Sequence, residues 1–147
     1  MTELAIRQPS LEQRWPMTGE AWFTLVDELG RLRTDVVSLA GELVHGVADF
    51  AVVKAARRLD VLSAVYDAAE RIDESEQAVI GRRVTVLEPE GESVTYRLAF
   101  PGDGDPAQGR LSADSPLGSA VLGCWPGDRV EVTAPAGRRV VTVLSVE

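Results

Sequence analysis

Residues 25–43 read LVDELGRLRTDVVSLAGEL, and the spacing of their apolar positions decides the fold. Leu25, Leu29, Leu32, Val36, Leu39 and Leu43 follow one another at steps of four, three, four, three and four, which lays a single apolar seam along an α-helix. Upstream, Thr18 has the chemistry of an N-cap, and Glu20 sits in the first turn, where a carboxylate favours the helix dipole. Downstream, after His45-Gly46, a second seam runs through Val52, Ala55, Leu59, Leu62, Tyr66 and Ala69. Neither stripe is stable exposed to water, and each buries the other if the chain turns back on itself. An antiparallel helical hairpin over residues 18–74, with its tip near 44–50, is therefore predicted. Helices of ~26 residues at about 1.5 Å per residue make a rod roughly 40 Å long.

Either side of the hairpin the pattern changes. Residues 1–17 carry Pro9 and Pro16 without helical periodicity and read as an irregular leader. Near Asp73 to Glu76 the helical period stops, and alternation takes over in RRVTVLE and SVTYRLAF, joined by the turn-forming EPEGES. PGDGDPAQG, residues 101–109, has the composition of a loop. RLSA reads as a short strand, and SPLGSAVLG as a short helix with Ser115 at the N-cap and Pro116 at its first position. RVEVTAP and RRVVTVLSV, turning at Ala136-Gly137, close the chain as a hairpin. The fold class predicted is α+β: the helical hairpin, then a small antiparallel sheet with one short helix over residues 77–147.

Composition narrows the function. A net charge of -8 excludes a broad basic face for naked nucleic acid, which needs clustered Lys and Arg to neutralise phosphates. One cysteine, Cys124, forms no internal disulfide, and with His45 as the sole histidine there is no zinc ligand set. No apolar run reaches the ~18–20 residues that span a bilayer, and MTELAIRQPS lacks a signal peptide's apolar core. A cytoplasmic monomer with no membrane contact and no cofactor of its own is expected.

The run GRLSADSPLGSAVLGCWPGDRVEVTAPAGRRVVTVLSVE, residues 109–147, resembles the C-terminal domain of bacterial Gre transcript-cleavage factors. The DSPLG helix start, the PGD turn, the VEVT strand with its turn and the closing apolar strand carry the likeness. It extends back through the hairpin to PMT at residues 16–18. That resemblance implies an FKBP-like globular domain on the rim of the RNA polymerase secondary channel, with the hairpin reaching through the channel toward the active site. It also implies that Asp114, Ser115, Pro116 and Leu117 grip the rim. Locally, Ser115 and Pro116 are explained by capping alone, while Asp114 has no evident structural task.

Cleavage-stimulating members of that family carry two acids at the tip, between an HG-like start and an AAR-like helix segment. Two neighbouring carboxylates hold a divalent metal and position the attacking water; one does so poorly. In this chain the flanks stand as His45-Gly46 and Ala55-Ala56-Arg57, but Val47 and Phe50 occupy the acidic positions. Asp49 is the one acid between the flanks, either a surface charge or a contact to the polymerase magnesium. His45 reads as a turn residue or a proton shuttle, and Gly46 as a helix C-terminal residue. Val47 and Phe50 either fill the hairpin end or touch the polymerase interior. Lys54, Arg57 and Arg58, at i, i+3 and i+4, share a helix face and resemble the basic patch by which Gre factors meet the RNA 3′ end. Ion pairing with Glu42 or Asp60 is the local alternative.

The leading expectation is a secondary-channel regulator of transcription that does not stimulate cleavage and is not itself an enzyme. The alternatives are an active GreA-like cleavage factor, a peptidyl-prolyl isomerase, for which the sheet unit offers only Tyr96, Phe100 and Trp125, and an Rnk-like regulator of nucleoside diphosphate kinase, whose relatives have a shorter hairpin.

Overall fold

The computed structural model describes residues 6–7, 14–41 and 50–147. Helix α1 (Gly19–Gly41) starts where its cap predicts: the Ala21 N–H donates to Thr18 Oγ1 at 3.0 Å. The Gly19 N–H donates to Asp73 Oδ1 at 2.7 Å, so a residue 54 positions away satisfies a second donor of the first turn. Helix α2 (Phe50–Asp67) packs back along α1, with Leu25 and Leu29 buried in one cluster with Leu62 and Val65. The two helices measure about 35 Å and about 27 Å at the usual rise. Toward the base the α2 seam drifts from its expected course. Val65, three residues after Leu62, is buried, while Tyr66 is 43% exposed and lies against Trp22 with ring centroids 6.2 Å apart. A straight helix advances 3.6 residues per turn rather than 3.5, so a heptad stripe slides around it.

The base corrects the reading of residues 1–17 as wholly irregular. Strand β2 (Trp15–Met17) pairs in parallel with β3 (Ala69–Arg71), Trp15 opposite Ala69 and Met17 opposite Arg71. Pro16 has no N–H to give, but its carbonyl accepts from the Ile80 N–H at 3.0 Å, and the Thr18 N–H donates to the Ile80 carbonyl at 3.0 Å. Met17 is fully buried, and that burial is the reason the segment is ordered by the rest of the chain. Further upstream, β1 (Ile6–Arg7) pairs in parallel with Arg129 and Val130.

Strands β4 (Arg83–Leu87), β5 (Ser93–Ala99), β6 (Arg110–Ser112), β7 (Arg129–Ala134) and β8 (Gly137–Val146) join β1 in a sheet of order β1-β7-β8-β4-β5-β6. The α+β class stands, but the sheet is mixed rather than antiparallel. Between Ala99 and Arg110 the chain loops back through a 3-10 turn (Pro106–Gln108) and re-enters beside Arg97, so β6 runs parallel to β5 with Leu98 opposite Leu111. Helix α3 (Pro116–Val121) packs on β7 and buries Leu117 and Val121 among Val84, Val86, Val130 and Val132.

A second apolar cluster joins the two units. Met17, Ala21, Leu25, Leu29, Leu62 and Val65 of the hairpin base meet Ile80, Phe100 and Ala113 of the sheet unit. The approach is close enough to demand glycine at residue 81: its φ is +103°, and a Cβ there would stand 2.6 Å from Thr18 Oγ1. The hairpin base is thus half of a shared core.

Candidate functional site

At the α3 end of the sheet, Ser115 is the N-cap the sequence predicts. Its Oγ accepts from the Gly118 N–H at 3.0 Å and donates to the Ser112 carbonyl at 2.7 Å. Leu117 departs from its expected part in a rim contact: it is 7% exposed and lies in the sheet core, because the second position of this short helix faces β7. Asp114 and Pro116 are exposed. Asp114 also has the structural task that its sequence context hid: its Oδ1 accepts a hydrogen bond from Ser112 Oγ, and the same hydroxyl accepts from the Gly102 N–H at 3.2 Å. Its second carboxylate oxygen has no partner among the described residues.

The basic face of α2 divides into two. Lys54 and Arg57 are exposed and make no ion pair among the described residues. Arg58 does not share that freedom, which corrects its place in a basic patch. Its side chain is 21% exposed, and its guanidinium spans three elements. Nη1 donates to the Pro101 carbonyl at 2.7 Å, Nη2 to Asp103 Oδ2 at 2.6 Å, and Nε to Glu28 Oε1 at 3.4 Å. Asp60 does not supply the pairing expected locally, and Glu42 lies outside the described residues; the partners found come from α1 and from the loop after β5. A planar fork with fixed donors suits such a multi-element contact in a way a lysine ammonium does not. Spacing could not have found it, because Asp103 lies 45 residues from Arg58 and has no local partner to announce it.

Beside this contact lies a cleft of about 630 Å³ between the first turns of α1 and residues 97–110. Ala21, Leu98 and Phe100 line it, with Glu20, Arg97 and Asp105 also on its walls. Around the base, Arg71 places its guanidinium carbon 5.2 Å from the Trp22 ring centroid and 5.3 Å from that of Phe23, which is 61% exposed. Trp125, open between core and interface in the sequence, is 48% exposed in the turn after α3. Between β8 and the residue that follows β4, Glu88 Oε1 accepts from Arg139 Nε at 2.7 Å, and this hydrogen bond holds the guanidinium above its ordinary pKa.

At the tip, Phe50 opens α2 and is 77% exposed. His45, Gly46, Val47 and Asp49 lie outside the described residues, as does Glu42. Among the described residues, no three His, Cys, Asp or Glu side chains come together as a metal site, and no helix is long and apolar enough to cross a membrane.

The family model "Transcription elongation factor, GreA/GreB, C-term" matches residues 73–147. Transcription elongation factor GreA of Acidiphilium cryptum (strain JF-5) is 31% identical over 153 aligned residues, covering 91% of this chain and 98% of that protein. GreA of Cereibacter sphaeroides (strain ATCC 17029 / ATH 2.4.9) is 34% identical, covering 89% and 96%. Among solved structures, GreA factor homolog 1 (Gfh1) of Thermus thermophilus is 22% identical with a TM-score of 0.43, covering 92% of this chain and 99% of that one. GreA/GreB of Nitrosomonas europaea is 22% identical with a TM-score of 0.45, covering 90% and 98%.

Proposed function

Because the chain belongs to the GreA/GreB family of transcription elongation factors, we propose that it acts on RNA polymerase as a regulator that does not stimulate transcript cleavage. Its sheet unit docks on the channel rim through the Asp114–Pro116 edge, and its hairpin enters the secondary channel with Phe50 near the leading end. The observation that carries this reading is the composition of the tip. Between His45 and Arg57 there is one acid, Asp49, with Val47 and an exposed Phe50 at the positions where a metal-holding pair is needed. One carboxylate lacks the ligands to retain a divalent cation that still coordinates water and RNA phosphate. An inserted rod without that pair still occupies the path of incoming nucleotides, so modulation of elongation or initiation follows from bulk alone. Lys54 and Arg57 are exposed on one face of α2, which supports a contact with the RNA 3′ end.

The second reading, a cleavage-stimulating factor, is favoured by the GreA names of the relatives at 31% and 34% identity. Purified polymerase halted in a backtracked complex separates the two. The protein is expected to leave the cleavage rate unchanged while altering the nucleotide addition rate, and to compete with a cleavage-active GreA. Faster cleavage in its presence overturns the proposal in favour of the second reading.

A further inference from the structure

We propose that Arg58 is a positioning residue that ties the direction of the hairpin to the presentation of Asp114. The contacts form one continuous path. Arg58, rooted on α2 and in contact with Glu28 of α1, donates to the Pro101 carbonyl and to Asp103 on either side of Gly102. The Gly102 N–H donates to Ser112 Oγ, and that hydroxyl donates to the Asp114 carboxylate. A tilt of the rod therefore pulls on the 101–103 turn, and the turn carries the donor that sets the Ser112 hydroxyl. Charge-assisted bonds at 2.6 and 2.7 Å from a side chain that is four-fifths buried resist such a tilt more than an exposed ion pair does. The shared apolar cluster brings the two units together, but apolar contact is non-directional; the fork of Arg58 supplies the direction.

This inference rests on the docking read above for Asp114, and two measurements keep the two claims apart. The first concerns the free protein. Nitroxide labels at Val37→Cys on α1 and Trp125→Cys on the sheet unit, both exposed sites, report the angle between the units by electron–electron distance, with fully buried Cys124 left in place. The parent is expected to give one narrow distance distribution, and Arg58→Gln and Asp103→Asn a broad one, with melting curves checking that each variant is folded. Arg58→Lys, which keeps the charge but not the fork, is expected to lie between. A distribution in Arg58→Gln as narrow as the parent's overturns the proposal.

The second is a double-mutant cycle on polymerase affinity, the direct test of coupling between two positions. Arg58→Gln and Asp114→Asn are each expected to weaken binding about tenfold, and the double variant little more than either, a coupling of about 1.4 kcal/mol by the tenfold constant. A double variant weakened about a hundredfold, the product of the singles, means that the two residues act independently and overturns the link. If the parent does not bind polymerase at all, the proposed function fails, while the distance distributions still decide whether Arg58 positions the hairpin.

Discussion

Replacing Leu62 by alanine tests whether the hairpin base and the sheet unit share one core. Leu62 is 0% exposed and belongs to the cluster in which Leu25 and Leu29 of α1 meet Ile80 and Phe100 of the sheet unit. Truncating a buried leucine to alanine costs about 2–5 kcal/mol, the higher values arising where the surroundings cannot collapse into the space. Leu62 lies in a cluster drawn from both helices and the sheet unit, so about 3–4 kcal/mol is expected. For a chain of this size that lowers the Tm by roughly 6–16 °C. The neighbouring Val61→Ala, at a site 42% exposed, serves as the control and should stay within about 1 kcal/mol. Guanidinium unfolding read by tryptophan fluorescence distinguishes the units. Trp15 and Trp22 pack against the junction, and Trp125 lies beyond α3 on the sheet side. In Trp125→Phe the signal reports the junction; in Trp15→Phe/Trp22→Phe it reports the sheet. Leu62→Ala should shift both transitions together. A junction signal that moves while the Trp125 signal stays in place refutes the shared core, as does a loss below about 1 kcal/mol.

Glycines 30 and 118 should respond to alanine with opposite signs. Gly30 lies mid-α1 with nothing within 4 Å of an added Cβ, so Gly30→Ala is expected to stabilise by up to about 1 kcal/mol in urea titration. Gly118 is also helical, but its Cβ would collide with the Ser112 carbonyl oxygen, and Gly118→Ala should destabilise by about 2 kcal/mol or more. Ser115→Ala removes the acceptor for the Gly118 N–H and should cost about 1 kcal/mol in thermal unfolding, with Ser115→Asp recovering most of it. Phe50→Ala should leave stability within about 0.5 kcal/mol while weakening the effect on nucleotide addition; a larger stability loss would show that Phe50 packs within the hairpin.

Much of the architecture was legible because it rests on local rules. The Leu25–Leu29–Leu62 seam follows from side-chain period, and the caps at Thr18 and Ser115 follow from the donors a helix start leaves unpaired. The β4–β5 and β7–β8 hairpins follow from alternation broken by turn residues. The parallel seat of β6 was not legible, since alternation fixes which face a residue takes but not which neighbour, or which direction, its strand adopts. Leu117 illustrates the same limit within the candidate site: a motif names the residue, and only packing on β7 shows that it faces inward.

By itself the sequence determined the parts: an apolar-seamed hairpin, a small sheet unit, and a tip with one acid where two are needed. Tertiary structure decided how the parts are held. Trp15–Met17 is ordered by Ala69–Arg71 and Ile80, the Ser112 hydroxyl that meets Asp114 by the Gly102 N–H ten residues upstream, and Arg58 by an acid 45 residues downstream. Periodicity and capping act over a turn or two of chain and so are written in neighbouring letters. A guanidinium finds its carboxylate through the fold, and nothing in the spacing of the letters records which one it will be.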